Sequence, residues 1–409
     1  MPKTERFAFA CIAVLFFLFG FITCLNDILV PHFKSLFDLN YRQSMMIQFC
    51  FFSAYLVFSY PSGFLVRKFG YTRGILMGLA ILGLGALGFL PAGYFHSYEL
   101  FLASLFVMAC GIALIQVAGN PYAAALGPSE SAPLRLNLVG AFNSLGTSLA
   151  PILGSVLILS VAKSSGVQST ALPYLGIAGA VVLLAMVFSK LRLPVITDEV
   201  LEAKLEDASQ DRASPWDYAH LRMGVLGIFF YVGAEVSLGS ILVNYIMASW
   251  GLEASQAGHY VAVYWTLAML GRFSGYWFLK NFRAADCLFN AAVLAVTLVT
   301  LGMLSGKAWS PYCFMLVGFV NSIMFPVTFT LSIDGLGRHT SKAASYLCMA
   351  IVGGAFLPLA QGWISDHVSL RAGFLVPLLG YFYLCWFAWR MRTRESAEGR
   401  KAAHEILSA

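Results

Sequence analysis

Charge is what this sequence has least of. Only 11% of its 409 residues are Asp, Glu, Lys or Arg, against 59% hydrophobic residues and a mean hydropathy of +0.76. A chain so poor in charge cannot clothe a water-facing surface, which excludes a soluble globular protein and makes this an integral membrane protein. Patterned cysteine is missing as well: the eight cysteines lie in apolar runs without C-x-x-C spacing, so neither a disulfide framework nor a metal site is implied. The seven histidines are scattered through loops and ends with no spacing suited to a metal or a nucleophile. That argues against a membrane-embedded enzyme, and a sensor's appended soluble module is not seen. Short alternating strands of the barrel type are absent. No small-residue cleavage pattern follows the first apolar run, which is read as a retained helix and not a signal peptide.

What is present is a series of apolar runs of about 20 residues, the length an α-helix needs to cross roughly 30 Å of hydrocarbon. Twelve spans are expected, at 7–30, 43–66, 73–90, 98–126, 136–161, 172–191, 221–247, 255–279, 285–304, 309–331, 343–365 and 373–389. Six precede the one long loop and six follow it. The expected organisation is an N-terminal six-helix bundle at 1–191, a cytoplasmic linker at 192–220, a C-terminal six-helix bundle at 221–390 and a cytoplasmic tail at 391–409. With both termini on one side, twenty of the 26 Lys and Arg fall on that side, five fall opposite and Arg272 lies within a span. The positive-inside rule then puts both termini and the linker in the cytoplasm. The net charge of +6 reports this topology and requires no nucleic-acid partner. The linker carries Asp198, Glu199, Glu202, Glu206, Asp207 and Asp211, with Leu201 and Leu205 on one face of a short helix, and reads as a solvated connection.

The chain repeats itself. Residues 16–30 and 229–243 align without gaps, sharing Phe16/Phe229, Gly20/Gly233, Leu25/Leu238 and Ile28-Leu29-Val30/Ile241-Leu242-Val243. Ser62-Gly63 and Lys68 match Ser274-Gly275 and Lys280, Arg135, Gly146 and Pro151 match Lys342, Gly353 and Pro358, and Pro121 matches Pro326. Four pairs of spans thus align in order with nearly constant spacing, which two parallel six-helix halves explain most simply; this is the arrangement of the major facilitator transporters.

Each half carries one acid well inside a span, Asp27 in the first and Glu235 in the seventh. Intramembrane acids tend to mark ion or proton pathways, because hydrocarbon drives a carboxyl toward its neutral form unless it is paired or wet. In the repeat register the two acids lie roughly 7 Å apart along the helix axis. Asp27 is expected as the proton acceptor reached from outside, and Glu235 as a ligand-contacting or second titrating group. A fixed structural network is the alternative for both. Amides accompany them: Gln48, Gln116, Asn120, Asn137, Asn143, Asn244 and Asn321. Gln116 and Asn120 share a helix face. Amides donate and accept at once, so such a set around a cavity suits a neutral polyhydroxylated ligand such as a sugar, although each alone serves equally well as a helix cross-link. Tyr264, Trp265 and Phe325 offer rings on which a sugar face would stack, or simply fill the core. Arg272 lies about 10 Å from the inner end of its span, from where it snorkels to the cytoplasm or locks a gate with an acid such as Asp334. Clusters at Gly119-Asn-Pro121, Phe325-Pro326 and Gly353-Gly-Ala-Phe-Leu-Pro358 allow kinks.

Leu25-Asn-Asp-Ile-Leu-Val30, Gln116-Val-Ala-Gly-Asn-Pro121, Arg135-Leu-Asn137 with Phe142-Asn-Ser-Leu-Gly146, and Tyr231-Val-Gly-Ala-Glu-Val-Ser237 together resemble the fucose:proton symporter family of the major facilitator superfamily, over nearly the whole chain. The resemblance implies sugar import with protons and a coupling role for Asp27. The fucose branch has an acid in span four where this chain has Gln116; an acid at Glu235 instead is similar to the glucose/galactose branch. The loop after span two, which in the wider superfamily usually carries an acid, has Arg67, as the fucose-type branch also lacks that acid.

The expectation is therefore an all-α membrane protein of twelve transmembrane helices in two pseudo-symmetric six-helix bundles, a non-enzyme working as a proton-coupled hexose symporter by alternating access. Candidate ligand contacts are Gln48, Gln116, Asn120, Asn143, Glu235, Asn244, Trp265 and Asn321; candidate gating residues are Arg272 and Asp334; no cofactor or metal is expected. The protein is expected as a monomer in the inner membrane. An N-acetylhexosamine or fucose substrate, sodium coupling through a carboxylate with Thr23 and Asn26, and an organic-ion or drug exporter remain open.

Overall fold

The computed structural model describes residues 3–36, 41–95, 97–162, 171–191, 193–202 and 213–408; the side chains of 24–46 and 48 are among those outside the description. Six long helices come first: α1 (Lys3–Leu36), α2 (Tyr41–Phe69), α3 (Tyr71–Tyr94), α4 (Tyr98–Ala125), α5 (Ala132–Ala162) and α6 (Ala171–Lys190). The linker holds a short helix, α7 (Asp198–Glu202). Then follow α8 (Ala219–Trp250), α9 (Ala254–Asn281) and α10 (Ala284–Leu304). The tenth span is in two pieces, α11 (Ser310–Asn321) and α12 (Met324–Ile333), and so is the eleventh, α13 (Thr340–Met349) and α14 (Gly353–His367); α15 (Leu375–Ser408) completes the twelve. Among the described residues there is no strand, and nine helical stretches are long and apolar enough to cross a membrane.

Helix is the form these runs must take, since hydrocarbon offers no partner for backbone N–H and C=O and a helix satisfies them within the segment. The ends carry their own signals. Ser97 caps α4 by accepting from the Leu100 amide at 3.2 Å, and Glu253 with Gln256 forms a reciprocal capping box at α9. Gly251 ends α8 at φ +68°, a left-handed conformation that suits glycine. The prolines act unequally: Pro121 lies inside unbroken α4, whereas Pro326 follows the break at residues 322–323. In the tenth span the carbonyl of Asn321, the last residue of α11, accepts from the Tyr231 hydroxyl at 3.0 Å.

By packing, the chain divides into two compact units, Met1–Pro215 with Gly335–Ala355, and Trp216–Asp334 with Phe356–Ala409. In the first, the core is built on Tyr71, Phe101, Tyr122 and Phe188; in the second, on Tyr231, Tyr264, Phe314, Phe329 and Tyr381. Large apolar side chains such as Phe64, Leu84, Trp277, Leu301, Trp363 and Leu379 stay exposed, which fits an exterior facing lipid.

Candidate functional site

In the first unit, α1, which bears Asp27, is held against α5 backbone to backbone. A Cβ added at Gly20 would fall on the Asn143 carbonyl, and one at Gly146 on the Phe17 carbonyl. Small residues at both positions permit this approach. It brings the Asn143 amide to the Phe16 carbonyl, a hydrogen bond of 3.0 Å, so the half-buried Asn143 joins α5 to α1. The Thr23 hydroxyl turns to its own helix, bonding the Phe19 and Gly20 carbonyls at 3.1 and 3.0 Å. The side chains of Asp27, Asn26 and Gln48 lie outside the described residues. On α4, Gln116 donates to the Tyr55 hydroxyl at 2.9 Å, both groups buried. One turn further on, Asn120 is 1% exposed and its Nδ2 has no hydrogen-bond partner among the described residues, an orphan donor of the sort that calls for a partner. Arg135 at the start of α5 bonds the Ala123 and Ala124 carbonyls, capping the end of α4, and reaches Ser131 at 2.5 Å.

The second unit builds a polar cluster around its acid. Glu235 is half-buried on α8. Tyr231 stands one turn before it on the same helix face, close enough for its hydroxyl to interact with the carboxyl, and Arg272 of α9 acts on it as the facing positive charge. Asn321, fully buried at the end of α11, donates to the Tyr264 hydroxyl at 3.0 Å, and that hydroxyl leans on the Glu235 backbone carbonyl at 3.4 Å. Again glycine allows the assembly: a Cβ at Gly318 would meet the Tyr264 carbonyl and one at Gly271 the Phe319 carbonyl, so α9 and α11 cross at backbone distance. Trp265 seats its indole on Gly239, where an added Cβ would lie 2.9 Å from the ring, yet stays 45% exposed. Asn244, two turns beyond Glu235 along α8, is exposed. Asp334 lies at the end of α12, where its carboxylate pairs with Arg394 at 3.6 Å and its backbone carbonyl meets His220 Nε2 at 3.0 Å.

The expected residues thus divide by surroundings: Gln116, Asn120 and Asn321 are buried, Asn143 and Glu235 half-buried, and Asn244, Trp265 and Asp334 exposed. Sequence reading passed over Tyr55 and Tyr231. Tyr231 had a usable signal, since it stands four residues before Glu235 and so shares its helix face. It also passed over Asp198. Expected on a solvated helix, this acid is 5% exposed, accepting from the Tyr71 hydroxyl at 2.7 Å, the Ser341 hydroxyl at 2.8 Å and the Ser341 amide at 3.3 Å. Burial pushes its carboxyl above the ordinary value of 3.8, against the pull of those bonds and of Arg67. Among the described residues no group of three His, Cys, Asp or Glu side chains gathers as a metal site.

Twelve spans, helices broken at mid-length and a buried polar cluster with an acid define a multi-pass membrane transporter. The chain belongs to the Major Facilitator Superfamily, whose family profile matches residues 10–350. It is 46% identical to a glucose/galactose transporter of Brucella abortus, covering 94% of both chains. It is 32% identical to the L-fucose-proton symporter of Escherichia coli strain K12, over 93% of this chain and 92% of the relative. The crystal structure of the superfamily transporter FucP in the outward conformation superposes with a TM-score of 0.86 at 31% identity, covering 95% of this chain and 99% of that one.

Proposed function

We propose that this protein is a proton-coupled sugar symporter that imports a hexose of the glucose/galactose type by alternating access. The observation that carries this reading is full-length similarity, at 46% identity, to a glucose/galactose transporter. Geometry adds to it. An exposed indole face, Trp265, neighbours a half-buried acid and the Tyr264–Asn321 pair, which sets a stacking platform for a sugar ring beside an acceptor for its hydroxyls. Asp27 is the proton acceptor, and Glu235 contacts the sugar or titrates as a second group. Gln48, Gln116, Asn120, Asn143, Asn244, Trp265 and Asn321 supply further contacts, directly or by holding those that touch. Arg272 and Asp334 serve gating. The protein works as a monomer in the inner membrane with both termini cytoplasmic, as the bias of Lys and Arg supports.

The test is a panel of sugars offered to proteoliposomes under an imposed proton gradient and, separately, a sodium gradient. Accumulation of glucose or galactose driven by the proton gradient alone is the expected result. Accumulation driven by sodium alone, or of fucose or N-acetylglucosamine in preference, would replace the coupling ion or the sugar. Absence of uptake with substrate-driven proton release would point to an exporter.

A further inference from the structure

Tyr231 has one hydroxyl proton and two acceptors within reach. One is the Asn321 carbonyl at 3.0 Å, at the last residue of α11 where the tenth span breaks. The other is the Glu235 carboxylate, one turn along the same helix. A hydroxyl with a single proton cannot serve both. An ionised carboxylate is the stronger acceptor, because its bond is charge-assisted, so while Glu235 is ionised the Tyr231 proton is drawn to it and away from the Asn321 carbonyl. Once Glu235 takes up a proton, the roles reverse. The carboxylic acid donates to the Tyr231 oxygen, and the Tyr231 proton is committed to the Asn321 carbonyl. No covalent bond other than the new Glu235 O–H forms, and the proton gained comes from solvent.

We propose that Tyr231 is a positioning residue that transmits the protonation of Glu235 to the break in the tenth span. The structure at that break favours such a readout. Asn321 is tied on its other side as well, its amide donating to Tyr264, whose hydroxyl leans on the Glu235 backbone. The end of α11, at the break, is therefore held to the acid by two hydroxyls of different character. Tyr264 binds groups that do not titrate, while Tyr231 binds one that does. The charged and titratable groups facing Glu235 are Tyr231 on its own helix, Arg272 and Tyr264 on α9, and Tyr381 on α15. Arg272 faces the carboxyl from α9 whichever acceptor the Tyr231 proton takes.

This inference rests on the reading of Glu235 as a titrating group, and its test needs no substrate. Amide hydrogen exchange of peptides covering residues 318–327 is followed in the full-length protein at pH 5.5 and pH 8, corrected for intrinsic rates. Wild type should exchange about fivefold more slowly at the lower pH, the size of one ordinary hydrogen bond. Tyr231→Phe, which keeps the ring, should lose that difference, and Glu235→Gln should show one rate at both values. A wild-type-like pH difference in either variant overturns the proposal. Should Tyr231→Phe fail to fold, Glu235→Gln tests the relay by itself on the same criterion. Proton-driven sugar uptake that persists while the exchange difference is absent sinks the relay and leaves the transport reading standing. A clear exchange difference in a protein that accumulates no sugar does the reverse.

Discussion

The two halves descend from one sequence pattern, and they use their intramembrane amides differently. In the first, Asn143 bonds the Phe16 carbonyl and Gln116 bonds the Tyr55 hydroxyl, each a single cross-link between neighbouring helices. In the second, Asn321 belongs to a connected set in which Tyr231, Tyr264 and Arg272 converge on Glu235. Glycine does the same work in both, admitting backbone to backbone at Gly20 and Gly146 on one side and at Gly271 and Gly318 on the other. The scaffold was retained in duplicate and the chemistry was not. In the first half the Asn143 and Gln116 bonds each join just two helices. A half whose amide joins a chain ending on a carboxyl has, in the relay proposed above, an arrangement that depends on a proton.

The largest effect should come from the first half's acid. Asp27→Asn removes the only carboxyl that the sequence places well inside spans one to six. Proteoliposomes carrying it should lose gradient-driven accumulation entirely while retaining sugar counterflow between equal concentrations, because exchange of a bound sugar needs no net proton movement. Full accumulation by Asp27→Asn would move proton coupling to the second half and dissolve the contrast.

Glu235→Gln comes next. The amide keeps the size of the side chain and removes its charge, so Arg272 loses its facing anion and a ligand hydroxyl loses a charge-assisted acceptor. Sugar affinity should fall about tenfold, near 1.4 kcal/mol, by equilibrium binding. Unchanged affinity together with unchanged coupling would make Glu235 a structural residue, and the second half would then resemble the first.

How much of this was legible in the sequence depends on the range of each interaction. Spans announce themselves because about 20 apolar residues admit one solution in hydrocarbon, and the repeat follows from comparing the chain with itself. Glu235 stood out because an acid in an apolar run needs a reason, and Tyr231 was within reach since both lie on one helix face. The pairing of Gln116 with Tyr55 was not, because 61 residues separate them and the sequence does not say which face of α2 meets α4. Pro121 and Pro326 read alike in sequence, yet only the second accompanies a break, beside which a tyrosine from another helix bonds the Asn321 carbonyl. Asp198 was the hardest. A short acidic stretch has the same composition whether solvated or buried, and its partner Ser341 lies 143 positions away.

The smallest effect, at the ends of the helices, carries the comparison outside the membrane. In the second unit Asp286 accepts from Arg283 at 2.8 Å and Arg392 at 2.6 Å, an ion cluster open to water on its arginine side. In the first, Asp198 is enclosed and its hydrogen-bond donors, Tyr71 and Ser341, are neutral. Asp286→Asn should cost about 0.5 kcal/mol or less and matter less still in high salt, as exposed pairs do. Asp198→Asn should be insensitive to salt and sensitive to pH. Burial is the main reason the Asp198 carboxyl titrates above 3.8. A carboxyl raised on folding contributes stability that is fully present below its unfolded value and is lost as the pH climbs through the folded one. The asparagine has no such titration. Melting temperatures of the two proteins in detergent should therefore differ most in favour of wild type at the acid end, and that advantage should shrink on going upward from about pH 4 toward neutrality. A difference that stays flat across this range would mean Asp198 holds the linker with its charge unperturbed, and the two units would then be alike in kind.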